Sequence, residues 1–85
     1  FHMNIEEENI AEALENTGDK VGHIHFVDSN RRPAGLGHLN YLPIASALKN
    51  LQYSAWASVE AFPYPDPESA ARQTIKTYKE FMEGV

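Results

Sequence analysis

His25 and Glu60 are the two residues whose types best suit chemistry in this sequence. A neutral imidazole is a good donor to Mn, Co or Zn, and a carboxylate from a neighbouring strand can share the ion. Glu60 follows Ala-Ser-Val and precedes Ala-Phe. A carboxylate in such apolar surroundings needs a partner for its charge. A metal ion would be one, and the same carboxylate could remove a proton from a substrate carbon. The plainer readings are a histidine hydrogen-bonded within a sheet and a glutamate at a solvated strand end. Arg31 carries a fork of donors suited to hydroxyl or carboxylate oxygens. Its plainer reading is a solvated loop arginine. His23 has the same side-chain direction as His25, one step deeper, and reads as a supporting residue. His38 follows Gly37 and could reach the same region or stay exposed.

These residues need elements to place them. Phe1–Ile5 alternates large side chains and reads as the end of a strand. Glu6, Glu7 and Glu8 suit the first turn of a helix running over about 6–17, with Ile10, Ala13 and Leu14 on one face and Gly18 as its stop. Residues 21–27, Val-Gly-His-Ile-His-Phe-Val, read as a buried strand, followed by a long polar loop over 28–40. Ile44, Ala45, Leu48 and Leu51 predict a helix over 42–51. Residues 53–62 predict a second full strand, with Trp56 and the tyrosines as core or edge residues. Asp66-Pro67 is a cap followed by a first-turn proline. It opens a helix over 67–83 whose inner face is expected to carry Ala71, Ile75, Tyr78 and Met82.

Strands alternating with amphipathic helices imply an α/β fold with parallel strands joined by crossovers. Apolar residues on both strand faces suggest a sheet covered by helices. His2, His25, Asp28, Arg31 and Glu60 all fall at or just after strand C-terminal ends. In a parallel sheet those ends converge on the rim where ligands bind.

Composition narrows the function. The chain has 85 residues, with 12 acidic and 7 basic side chains and a net charge of -5. No basic face for nucleic acid is expected. No cysteine is present, which excludes disulfides, thiolate metal sites and cysteine nucleophiles. No apolar run approaches the roughly 20 residues of a membrane span. With no signal-peptide pattern, a cytoplasmic location is expected.

Four motifs also resemble a known family. Phe1-His2-Met3-Asn4-Ile5-Glu6-Glu7 is similar to a segment of the ketose 3-epimerases, which act on sugars such as tagatose and psicose. The stretch from Gly22 to Pro33, then Gly35-Leu36-Gly37-His38, then Ser58-Val59-Glu60-Ala61-Phe62, match in order and spacing. The wider group is the xylose isomerase-like TIM barrels, which include endonuclease IV. The resemblance covers essentially residues 1–85 as one partial barrel domain. It implies the C-terminal third of a (β/α)8 barrel, from the end of strand six through helix eight, since a whole barrel takes about 250 residues.

The resemblance also implies a divalent metal, Mn or Co first and Mg or Zn as alternatives, held by two glutamates, an aspartate and a histidine. His25 matches the histidine and Glu60 the last glutamate, which is also one of two acid/base groups. His2 and Arg31 match contacts to substrate oxygens. The family's aspartate would precede Phe1, and the other glutamate lies further upstream. The implied activity is epimerisation or isomerisation of a ketose or related sugar. The isolated chain is expected to be inactive. A sugar-phosphate or inositol-type isomerase of the same superfamily is the alternative, as is a non-catalytic fragment. Nuclease chemistry is disfavoured because it needs more histidines. Two unpaired sheet edges predict a homo-oligomer.

Overall fold

Each of the longer helices begins where the sequence supplies a cap. The structure, a computed structural model, describes residues 1–84. Helix α2 (Ile10–Thr17) starts after Asn9, whose side chain accepts from the Glu12 N–H at 3.0 Å. Helix α3 (Tyr41–Asn50) follows Asn40 in the same way, and α4 (Pro67–Met82) follows Asp66. The Asp66 carboxylate accepts from the Ser69 N–H at 2.8 Å, and Pro67 occupies the first turn as expected. Gly18 ends α2 with φ 63°, a left-handed conformation that glycine adopts without strain.

The sheet has two strands, β1 (His23–His25) and β2 (Trp56–Ser58), paired in parallel. His23 pairs with Trp56, Ile24 with Ala57 and His25 with Ser58. Helix α3 provides the crossover that a parallel pair requires. The chain is thus a β-α-β unit followed by α4, with α1 (His2–Glu6) and α2 before it.

Two apolar clusters hold the helices against the sheet. Leu14, Ala47 and Leu48 form one, with Met3, Ile24 and Ile44 packed around them. Phe26, Ala34 and Tyr41 form the other, joined by Tyr78 and Phe81 of α4. The Tyr41 hydroxyl donates to the Val27 carbonyl at 2.6 Å. That bond satisfies a polar group inside the second cluster.

Several expected elements are corrected. Phe1–Ile5 is not a strand end: His2–Glu6 is a helical turn, closed by Glu7 N–H to Met3 O at 2.9 Å. Five residues are too few for alternation to tell strand from helix, and the helical turn brings Met3 onto the first cluster. Helix α2 starts at Ile10 rather than at residue 6, because Asn9 is a better cap than the exposed run Glu6-Glu7-Glu8. Both strands are shorter than the apolar runs suggested, since only the paired residues count as strand. The sheet is covered on one face: Ile24 is half-buried toward the helices, while His23 and His25 are exposed on the other.

Trp56 is 77% exposed and so is not a core residue. The inner face of α4 is also shifted. Ala70, Thr74 and Thr77 are buried, whereas Ala71 and Ile75 are exposed. The buried threonines are satisfied, Thr74 by the Ala70 carbonyl and Thr77 by the Ala34 carbonyl.

Candidate active site

Alternation along the two strands builds the site. His23 and His25 are two residues apart, as are Ser58 and Glu60, so each pair projects to one face. The parallel register then sets His25 beside Ser58, just before Glu60. On that exposed face the His23 Nε2 lies 2.6 Å from Ser58 Oγ, and the two histidine rings meet edge to face at 5.3 Å. His25 Nδ1 lies 3.6 Å from Glu60 Oε2. Glu60 Oε1 accepts from the Arg31 guanidinium. The carboxylate therefore has one oxygen toward each partner.

This arrangement sets the charge of Glu60. The Arg31 hydrogen bond, followed by the charge of His25, holds its carboxyl below the usual value of 4.5. The expectation of an enclosed carboxylate is corrected, because the Glu60 side chain is 52% exposed. Its partner is Arg31 rather than an apolar wall.

His2 makes a smaller contribution to the same field. With His23 and His25 it is among the residues that line a cavity of about 230 Å³, together with Ile24, Leu14 and Tyr41. The structure thus gathers His25, Arg31 and Glu60 in direct contact, with His2 at the edge. His38 is exposed, and its backbone N–H donates to Ser29 Oγ at 2.9 Å. No contact joins its ring to Glu60 among the described residues.

Asp28 behaves differently from the rim residue its position suggested. It is 1% exposed and turns into the loop instead of toward Glu60. Burial by itself pushes its carboxyl up. Hydrogen bonds from the Leu39, Ser29, Gly35 and Gly37 amides outweigh that effect, and the net shift is below the usual 3.8. Two glycines after an aspartate were the available sequence signal for this arrangement.

The donor pair suits a divalent cation. Two ligands about 2.1 Å from one ion stand about 3.0–3.6 Å apart at angles of about 90–120°. The His25–Glu60 separation of 3.6 Å lies at the upper end of that range. Among the described residues no group of three or more His, Cys, Asp or Glu is placed to hold a metal ion. The remaining donors would have to come from outside these residues.

Comparison with known proteins agrees with the motifs. A family model described as xylose isomerase-like TIM barrel matches residues 1–81. The chain belongs to that family, and its β-α-β-α arrangement is part of a (β/α)8 barrel. Its relatives include a D-psicose 3-epimerase of Enterocloster bolteae, 44% identical over 62 residues, which are 73% of this chain and 21% of that protein. A 3-dehydro-D-guloside 4-epimerase of Escherichia coli is 34% identical over 88% of this chain and 29% of its own length. A crystal structure of a D-psicose 3-epimerase in the presence of D-fructose superposes with a TM-score of 0.83 at 25% identity. That match covers 95% of this chain and 35% of the other. The chain therefore spans between about a fifth and a third of the proteins it matches. Among the described residues no helix is long and apolar enough to cross a membrane.

Proposed function

We propose that this chain supplies part of the active site of a divalent-metal-dependent sugar epimerase or isomerase acting on a ketose. The observation that carries the reading is the His25–Glu60 pair beside Arg31, at the ends of adjacent parallel strands. His25 and Glu60 would hold the metal together with donors from other parts of a barrel. Mn or Co suits one imidazole and several carboxylates. When bound, the ion supplies a positive centre that polarises the carbonyl and hydroxyl oxygens of the sugar.

The chain's own residues would do the following. Glu60 takes a proton from the carbon next to the carbonyl, or returns one to it. Its low carboxyl pKa keeps it ionised near neutral pH, ready to accept. Arg31 donates to a substrate oxygen and offsets the charge of Glu60. His2, at the cavity edge, contacts a second oxygen. The second proton-transfer group lies outside these residues, so the 85-residue chain alone does not turn over sugar. The exposed Trp56, Val59 and Phe62 beside the short sheet favour association, with another copy or with the rest of a barrel.

The test is a chimera in which residues 1–81 replace the matching segment of the Enterocloster bolteae enzyme. A folded chimera supplied with Mn should interconvert D-psicose and D-fructose. Glu60→Gln should lower kcat by about 10²–10⁴-fold. A folded, metal-loaded chimera that acts on no ketose, or a Glu60→Gln variant with full activity, overturns the reading.

A further inference from the structure

We propose that Asp28 is a positioning residue, whose buried carboxylate gathers the loop amides and so presents the Arg31 guanidinium to Glu60. The first support is the geometry around the carboxylate. Oδ1 accepts from the Ser29 N–H at 2.8 Å and the Leu39 N–H at 3.0 Å, and Oδ2 accepts from the Gly35 N–H at 2.8 Å. These donors span eleven residues, so one side chain ties both ends of the loop together. Gly37 lies so close that an added Cβ would overlap the carboxylate. The packing leaves room for a hydrogen there and nothing larger.

The second support is the backbone of Arg31. The Asp28 carbonyl accepts from the Arg31 N–H at 3.1 Å, and the Asp28 N–H donates to the Arg32 carbonyl at 3.0 Å. Arg31 itself has φ 63°, a left-handed conformation that a long side chain keeps only where its surroundings fix it. On its other side the Arg31 carbonyl accepts from the Phe62 N–H at 2.8 Å, two residues beyond Glu60. The next guanidinium, Arg32, sits over the Tyr64 ring at 4.1 Å. Arg31 is therefore held between the backbone of buried Asp28 on one side and the segment just after Glu60 on the other. Among the described residues no hydrogen bond or ion pair joins Asp28 to Glu60, so Asp28 acts through the loop.

The consequence for sugar binding rests on the proposed function. The positioning itself does not, and it is tested in the 85-residue chain without metal or sugar. The readout is the side-chain NMR signal of the Arg31 guanidinium, slowed and shifted when paired. Arg72, paired with Glu68 on the exposed surface of α4, is the internal control.

In Asp28→Asn one carboxylate oxygen becomes an NH2 that cannot accept. The Arg31 signal should move to that of free arginine, and the Gly35 and Leu39 amides should exchange at least about tenfold faster. The Arg72 signal and the far-UV circular dichroism should stay unchanged. A folded Asp28→Asn chain with an unaltered Arg31 signal overturns the proposal.

If Asp28→Asn does not fold, Gly37→Ala decides, because it keeps the carboxylate and disturbs its seat. It should free Arg31 in the same way, and an unchanged signal overturns the proposal. If neither folds, hydrogen exchange in the unaltered chain decides. One common opening for the Gly35, Leu39 and Phe62 amides supports the link, and unrelated openings refute it.

Discussion

His25 ends β1 and Glu60 lies two residues past the end of the parallel β2, with His25 Nδ1 3.6 Å from Glu60 Oε2. That spacing follows from two regularities. Parallel pairing aligns His25 with Ser58, and the strand period of two carries the next outward residue to Glu60. A pair placed this way shares one small volume at the end of the sheet. Rim sites of parallel α/β folds lie there.

The carboxyl of Glu60 should depend on Arg31. In the folded chain its pKa lies below 4.5, first because of the Arg31 hydrogen bond and then because of His25. Removing the guanidinium in Arg31→Ala should raise the midpoint toward 4.5. A carbon-13 titration of the Glu60 carboxyl reads this directly. A midpoint that stays where it was would show that Arg31 does not hold the carboxylate in solution.

Asp28 should give the fold an acid limit. Its carboxyl is depressed in the folded chain, so its contribution to stability is complete above the usual 3.8. That contribution is lost as pH falls through the lower folded value. Asp28→Asn should cost about 1.5–3 kcal/mol at neutral pH, the range for hydrogen bonds to a charged group. It should also flatten the loss of stability in acid. Urea unfolding at pH 7 and below pH 4 measures both, and equal costs at the two pH values would contradict the assignment.

Much of this was legible in the sequence because it rests on short periodicities. The period of two put His23 and His25 on one face, and Asp66-Pro67 fixed the start of α4. Ala45 and Leu48 faced the core as their spacing required. The failures share a cause as well. Phe1–Ile5 was too short for its period to mean anything. The inner face of α4 was misread because buried Thr74 and Thr77 look polar, yet each hydroxyl is satisfied by a carbonyl. Asp28 looked like a rim residue because nothing local says that amides up to eleven residues away will close around it. Glu60 looked enclosed because its sequence neighbours are apolar, but its side chain is half exposed and meets Arg31 instead.

The central claim is that His25 and Glu60 act on one cation. The most direct measurement is a Mn(II) titration of the folded chimera, which supplies the remaining donors, followed by paramagnetic broadening of the NMR signals of residues 1–81. The His25 ring and the Glu60 carboxyl should broaden first and together, ahead of the Glu6-Glu7-Glu8 run. Either His25→Ala or Glu60→Gln should abolish the effect at both positions. Broadening that begins at the acidic run, or that survives at Glu60 unchanged in His25→Ala, would contradict a shared site.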